Sequence, residues 1–271
     1  MSPTFSIITV VRNDPAGAVR TLQSVFAQTC ADYELIVQDG ASTDETSDLL
    51  RRFAPWIDSL VIEPDGGIYD AMNRALARAT GDWLLFLNAG DFFRDKEVLA
   101  EVAGEIGGEG EDIFAGRVKR DEDGKVHGFR PPDKFWAGNT CDHQATFIAR
   151  DWMQRFGYRE EFRVCGDLDF FTRARQEGAR FRYHPVIVAR RPMAVGASSG
   201  FVDRLQDRFA MLEQVYGAEY PVRETLTQEM VVDTARATGF EPEDLAPLSL
   251  EELFTFRERW ERRVQSRLPR R

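Results

Sequence analysis

The sequence predicts an α/β protein with a mostly parallel central sheet flanked by helices, followed by a helical C-terminal extension. Strand-like and helix-like segments alternate four times within about the first 90 residues, as a parallel sheet requires, because parallel neighbours need a crossover between them. Trp83 to Leu87 is an unbroken apolar run bounded by turn residues, too short for a helix and suited to a strand buried on both faces. From residue 203 onward the pattern reads as helical, apart from breaks at Pro221, Pro242 and Pro247.

In chain order, Phe5 to Val11 has the β-branched content of a strand. Asp14-Pro15 then offers an N-cap and a first helical residue for a helix carrying Val19, Leu22, Val25 and Phe26. Tyr33 to Gln38 reads as a second strand closed by Asp39-Gly40, and Ser42 with Glu45 has capping-box spacing for a helix through Phe53. Ser59 to Glu63 is a short third strand. Ile68 to Ala79 is helical by the spacing of its apolar residues, with Gly81 as its stop, and Trp83 to Leu87 is the fourth strand. Beyond Asp91 the alternation loosens into a helix near Asp95 to Ile106, a hairpin around Asp121-Glu122-Asp123-Gly124 and a strand from Ala145 to Ala149. A helix from Asp167 to Glu177 and a strand near Arg180 to Val188 then precede a loop from Met193 to Gly200.

A chain of 271 residues with a 43% hydrophobic share can build one large domain with an extension. Its net charge of -10 argues against a nucleic-acid binder, which would need a basic face. Residues 257–271 hold seven Arg against Glu258 and Glu261, leaving about -15 on the rest by subtraction. Acidic body and basic tail are therefore expected to meet different partners. Cys30, Cys141 and Cys165 are too few and too scattered for a disulfide framework or a zinc site. No apolar run approaches the roughly 20 residues that span a bilayer, and a strand beginning at Phe5 leaves no room for a signal peptide. The expected location is cytoplasmic.

Polar residues gather where strands end, which is where open α/β sheets bind ligands. Thr9, Arg12 and Asn13 close the first strand, Asp39-Gly40-Ala41-Ser42-Thr43-Asp44 the second, and Asn88-Ala89-Gly90-Asp91 the fourth, while Asp65 to Asn73 follow the third. Acidic and amide groups there suit a hard divalent cation serving a phosphate-bearing substrate. A Gly turn before a capped helix would also account for Asp39-Gly40, a helix cap for Asp167, and a backbone contact for His143, so those alternatives stay open. Neither a Gly-x-Gly-x-x-Gly nor a Gly-x-x-x-x-Gly-Lys loop is present. Phosphates are thus expected to be held by a metal and side chains.

These segments, in this order, resemble the family 2 glycosyltransferases with the GT-A fold over roughly residues 4–200. They are most similar to the bacterial members that build capsule, exopolysaccharide and lipopolysaccharide chains. The resemblance implies inverting transfer of a sugar from a nucleoside diphosphate donor, a UDP-sugar foremost, to a glycan or lipid-linked acceptor hydroxyl, assisted by Mg²⁺ or Mn²⁺. It divides the chain into a catalytic domain at 1–200, with a nucleotide-binding half of about 1–91 and an acceptor-binding half at 92–200, and an extension at 201–271. Position by position, Thr9, Arg12 and Asp39 fall where the family contacts the base and nucleoside, and Asp65 and Asn73 lie near the nucleotide and its phosphates. Asn88-Ala89-Gly90-Asp91 stands at the family's Asp-x-Asp metal motif, with Asn88 and Gly90 replacing acids. That leaves Asp91 as metal ligand and turns Asn88 to the ribose or donor sugar.

Asp142-His143-Gln144 resembles the acceptor-side loop, and Cys165 to Arg173 the catalytic Glu-Asp segment with Gly166 in place of the Glu. Asp167 is the implied general base and Asp169 its reserve. Gly196 to Gly200, with Ser198 and Ser199, resembles the loop that closes over donor phosphates, and a plain solvent loop accounts for it equally. The Gln-x-x-Arg-Trp motif of processive members is absent, which favours single addition. In the tail, Leu253, Phe256, Trp260, Val264 and Leu268 share one helical face opposite the arginines. This stripe fits either packing on the domain or docking to an anionic membrane surface. Two rival functions are a catalytically impaired sugar-nucleotide binding or scaffold protein, favoured by Asn88 and Gly90, and a sugar-phosphate nucleotidyltransferase. The latter would want a Gly-rich loop with a phosphate-binding Lys, and residues 5–40 contain no Lys.

Overall fold

Every residue of β1 (Phe5–Val11) is buried, which requires neighbours on both strand edges and helices over both faces. In the computed structural model β1 pairs in parallel with β2 (Tyr33–Asp39) and β4 (Trp83–Phe86), and β2 pairs in parallel with β3 (Ser59–Ile62). The structure describes residues 4–121, 123–127, 141–192, 201–217 and 241–246, with single positions at 228, 231, 232, 235, 252 and 255.

Side chains of these strands divide by turns between two apolar clusters. Phe5, Ile7, Leu85 and Leu87 meet α1 (Pro15–Phe26), α2 (Thr46–Phe53) and α4 (Val98–Ala103) on one face. Ile8, Val10, Leu84 and Phe86 meet α3 (Ile68–Leu76), α5 (Arg150–Phe156) and α6 (Gly166–Gln176) on the other. Burial on both faces is why β1 and β4 are apolar along most of their length, without a regular polar alternation.

The second half adds β5 (Phe92–Phe93), β6 (Ile113–Arg120), β7 (Val126–His127), β8 (Thr146–Ala149) and β9 (Phe181–Arg191). The strand order is β3-β2-β1-β4-β8-β6-β9-β5, with β7 beside β6. The sheet is parallel from β3 to β4 and mixed beyond: β8 runs antiparallel to β4 and β6, β9 parallel to β6, and β5 antiparallel to β9. The expected hairpin is present, with Val118 opposite His127 and Lys119 opposite Val126.

Several local expectations are corrected. The capping box does not form, because the Ser42 hydroxyl is engaged by Asp39 and α2 starts at Thr46 without a side-chain cap. The third helix ends at Leu76, so Gly81 is not its stop. Gly81 instead lies where a Cβ would come within 2.7 Å of the β1 backbone at Phe5 and Ser6. The helix expected from Asp95 to Ile106 contracts to α4, and α5 was not anticipated. The N-cap of α1 forms as expected, with the Asp14 carboxylate accepting from Gly17 N–H at 2.9 Å.

The chain forms two compact units, Met1–Val195 and Gly196–Arg271. In the second, α7 (Phe201–Tyr216) includes buried Phe209, Met211 and Leu212, and α8 (Pro242–Leu245) starts at the proline expected to be a break. Proline suits that first position because its missing N–H would have no helical partner there. The expected loop from Met193 to Gly200, and the tail's apolar stripe and arginines, lie outside the described residues. No helix among the described residues is long and apolar enough to cross a membrane.

Candidate functional site

The ends of β1 and β2 are fastened into one rigid corner. Gly40 N–H donates to Val11 O at 3.0 Å. Asn13 N–H donates to Ser42 Oγ at 2.8 Å, and Asn13 Oδ1 accepts from Thr43 N–H at 2.8 Å. Asp39, with no exposed surface, accepts from Ser42 N–H at 3.1 Å, from the Ser42 hydroxyl at 2.5 Å and from the Ser47 hydroxyl. The loop before α3 closes onto this corner so tightly that a Cβ on Gly40 would lie 2.4 Å from Asp65 Oδ2 and 3.3 Å from Arg12 Cδ. Burial raises the Asp65 pKa while its bond from Gly67 N–H and the charge of Arg12 pull it down. Gly67 then turns the chain into α3 at φ +137, a conformation open essentially to glycine alone.

The turn after β4 is pinned by α1. Thr21 Oγ1 accepts from Gly90 N–H at 3.0 Å and donates to Asp91 O at 2.6 Å. Gly90 sits at φ +98, so a side chain there would strain the turn. The Asp91 carboxyl is buried and hydrogen-bonded by Gln144. Burial pushes its pKa up to about 6, against the pull of His143, Arg191 and Gln144, and Asp142 adds to the rise. Arg191 is close because β5 and β9 pair with Phe92 opposite Arg190, so one more step of the ladder sets Arg191 beside Asp91.

Between β7 and β8 a short 3-10 turn, His143–Ala145, carries the imidazole into this cluster. His143 Nδ1 lies 3.1 Å from Asp167 Oδ2, and Nε2 lies 3.4 Å from Asn88 Nδ2. The tautomer with hydrogen on Nδ1 satisfies both contacts, donating to Asp167 and accepting from Asn88. Burial lowers the His143 pKa, but the bond to Asp167 and the charges of Asp167, Asp91 and Asp142 outweigh it, and the net direction is up. Asp167, in the first turn of α6, accepts from Leu168 N–H at 2.8 Å through Oδ1.

Asn88 Oδ1 is buried with no hydrogen-bond partner among the described residues. Such an orphaned acceptor is costly unless a ligand completes it. Among the described residues no group of three or more His, Cys, Asp or Glu could hold a metal. Asp91 and the orphaned Asn88 oxygen nevertheless supply two oxygens in one turn. That thin set fits Mg²⁺, which keeps several waters and takes substrate phosphate oxygens.

The model of glycosyl transferase family 2 matches residues 6–188 of the chain. The chain belongs to this family. A "PGL/p-HBAD biosynthesis glycosyltransferase" of Mycobacterium bovis is 39% identical over 210 residues, covering 75% of this chain and 82% of the relative. An uncharacterized glycosyltransferase of Mycobacterium tuberculosis is 35% identical over 181 residues, covering 64% of this chain and 69% of that protein. Among solved structures, S. aureus TarS 1-349 in complex with UDP-GlcNAc superposes with a TM-score of 0.65 at 18% identity, covering 92% of this chain and 77% of that one. The chain spans 46% of the longer TarS chain. The mannosyltransferase PcManGT from Pyrobaculum calidifontis, in complex with GDP-Man and Mn²⁺, gives 0.63 at 20% identity, covering 96% and 83%. The architecture is thus the GT-A-like α/β fold of these neighbours.

Of the residues singled out by resemblance to the family, Asn88, Asp91, His143, Gln144 and Asp167 come together in one cluster, and Arg12 and Asp65 share the neighbouring corner. Four others are placed differently. Thr9 and Asp39 have almost no surface to offer a ligand: the Thr9 hydroxyl donates to Leu87 O at 2.9 Å, and Asp39 is enclosed by its own turn. Asn73 is engaged by the backbone of Tyr158 through both its amide nitrogen and its amide oxygen. Asp169 is buried in an ion pair with Arg173 at 2.7 Å. Ser198 and Ser199 lie outside the described residues. Tyr69, Asp142 and Arg191 join the cluster without having been singled out as site residues. The Asp142-His143 adjacency hinted at Asp142 and the Asp65 to Asn73 segment contained Tyr69, whereas the β5–β9 pairing that delivers Arg191 leaves no local sign.

Proposed function

We propose that this chain is an inverting, single-addition glycosyltransferase. It moves a sugar from a nucleoside diphosphate sugar, a UDP-sugar, to a hydroxyl of a glycan or lipid-linked acceptor in bacterial surface-polysaccharide or lipid-linked glycan synthesis. The observation that carries the reading is the Asp167–His143 pair at 3.1 Å beside Asn88 and Asp91, at the strand ends where α/β sheets bind ligands. Asp167 takes the acceptor hydroxyl's proton as that oxygen bonds to the anomeric carbon. The bond from that carbon to the diphosphate oxygen breaks, the nucleoside diphosphate leaves with the electron pair, and a single displacement inverts the centre. His143 fixes the Asp167 oxygen it contacts. Asp91, with Asn88 Oδ1, would hold Mg²⁺ or Mn²⁺, whose charge would offset that of the leaving diphosphate.

Arg12 and Asp65 line the nucleoside side. The solved neighbours with UDP-GlcNAc, UDP and GDP-Man support a nucleotide-sugar donor. A relative named for PGL/p-HBAD biosynthesis supports a biosynthetic role. We take residues 1–200 as the catalytic unit, with Ser198 and Ser199 in a closing loop. The tail at 249–271 docks to an anionic membrane on its cytoplasmic face, supported by its seven arginines and Trp260.

A second reading, a sugar-nucleotide binding protein without transfer, draws on Asn88 and Gly90 at acidic positions of the metal motif. Screening thermal stability against a panel of UDP- and GDP-sugars with Mn²⁺ comes first, since a ligand at 100 times its dissociation constant stabilises by about 2.7 kcal/mol. Nucleoside diphosphate release is then followed with acceptor added. Transfer requires both binding and release. Binding with no nucleoside diphosphate released from the donor, whichever acceptor is added, supports the second reading, and no binding across the panel contradicts both.

A further inference from the structure

One face of α3 grips the segment that leads into Asp167. Asn73 pairs with the backbone of Tyr158, its Oδ1 accepting from Tyr158 N–H at 2.9 Å and its Nδ2 donating to Tyr158 O at 2.8 Å. The same Nδ2 reaches Glu160 Oε1 at 3.1 Å. One turn earlier on the helix, buried Tyr69 donates from its hydroxyl to Val164 O at 2.9 Å and lies 3.5 Å from Asp167 Oδ1. Its ring also fills the space beside Gly166, where a Cβ would come within 2.8 Å of Tyr69 Cδ2 and Cε2. The Tyr69 and Tyr158 rings pack at 5.1 Å. The connection from α5 to α6 is therefore held near its start by Asn73 and near its end by Tyr69.

We propose that Tyr69 and Asn73 are positioning residues that set the orientation of Asp167, and that the Tyr69 ring is what Gly166 accommodates in place of a larger residue. The proposal rests on the reading of Asp167 as the base. A base must sit within hydrogen-bond reach of the proton it takes, and small displacements cost large factors in rate. Asp167 stands at the start of a helix, where its backbone is set by the incoming segment 157–165. Nothing within that segment is helix or strand. Side chains of α3 hold it together with α6, from which Arg173 donates to Gly157 O at 2.9 Å, and α3 itself begins at the loop carrying Asp65 and Gly67. The helix that receives the donor-side loop is thus also the one that aims the base. Asn73, in the expected nucleotide segment, thus serves the placement of the base.

Kinetics of the full chain with Tyr69→Phe and Asn73→Ala, each alone and combined with Asp167→Asn, test the proposal, with UDP and GDP affinities measured alongside. Each single change is expected to lower kcat by about tenfold while the dissociation constant of the nucleotide that binds stays unchanged. Added to Asp167→Asn, each should cause no further loss, because a residue acting through Asp167 has nothing left to act on. Wild-type kcat in Tyr69→Phe overturns the proposal, as do losses that multiply with that of Asp167→Asn. Weakened nucleotide binding at unchanged kcat in Asn73→Ala overturns it for Asn73 and returns that residue to the phosphates. If Asp167→Asn transfers at the wild-type rate, the base assignment itself has failed, and the proposal falls with it. Should Asn73→Ala fail to fold, Tyr69→Phe keeps the ring and loses only the hydroxyl contacts. Hydrogen exchange across residues 157–168 then provides the second readout, with faster exchange expected and unchanged exchange counting against the clamp.

Discussion

Asp91→Asn should make the protein more stable at neutral pH while removing its function. The change keeps the shape of the side chain and an oxygen able to accept from Gln144, but removes a buried charge. In the folded chain burial raises the Asp91 pKa from 3.8 to about 6. The folded state therefore binds this proton more tightly than the unfolded state does. Its contribution to stability is full below pH 4 and is lost as pH rises through about 6, where the folded chain must bury a carboxylate. Two pKa units correspond to about 3 kcal/mol. Relative to a neutral side chain, wild type should be weaker by about 3 kcal/mol at pH 7.5 and only about 1 kcal/mol at pH 4.5. For a unit of this size that is a gain of roughly 6 to 12 °C in Tm for Asp91→Asn at pH 7.5. Thermal unfolding of both proteins at the two pH values, in chelator so that bound metal does not contribute, measures it. An Asn variant no more stable than wild type at pH 7.5, or equally favoured at both pH values, would refute the burial argument.

Asp169→Ala should destabilise the fold by about 3 to 5 kcal/mol in denaturant titration, because it strands Arg173 without its buried partner; unchanged stability with lost transfer would bring Asp169 back as a base. Gly40→Ala should weaken nucleotide binding by about tenfold in calorimetry, since its methyl would displace the Asp65 carboxylate that lies 2.4 Å away; unchanged binding would move the nucleoside elsewhere. Deleting residues 249–271 should abolish low-salt binding to anionic vesicles while leaving donor hydrolysis in solution intact. A lowered Tm with every activity reduced, alongside full-length protein that ignores such vesicles, would make the tail a structural element.

The first half of the fold was legible because each strand from β1 to β4 has an apolar, largely β-branched or aliphatic centre followed by a polar turn, so local pattern and tertiary role agree. The second half was less so. The pairing of β5 with β9 and the parallel match of β6 to β9 join segments far apart in sequence, and neither leaves a local sign. That is why Arg191 was missed beside Asp91. The motif order led to Asn88, Asp91, His143, Gln144 and Asp167, which lie together, but it said nothing of which way a side chain faces. For Asp169 helical geometry could have said it: two residues along a helix is about 200° of rotation, so Asp169 points away from Asp167's side. For Asn73 the matching clue was its spacing of four from Tyr69, which puts both on one face of α3. Ser42 lost its capping role because a buried carboxylate, Asp39, competes for the same hydroxyl.

The central claim is that Asp167 removes the acceptor's proton in a sugar transfer from a nucleoside diphosphate donor. Its most direct test is transfer by Asp167→Asn against wild type, followed as nucleoside diphosphate release with acceptor present, with donor affinity and Tm measured on the same samples. The account predicts unchanged donor affinity and a folded protein whose transfer rate falls by about 10²-fold or more. Transfer near the wild-type rate would contradict it and remove Asp167 from the mechanism.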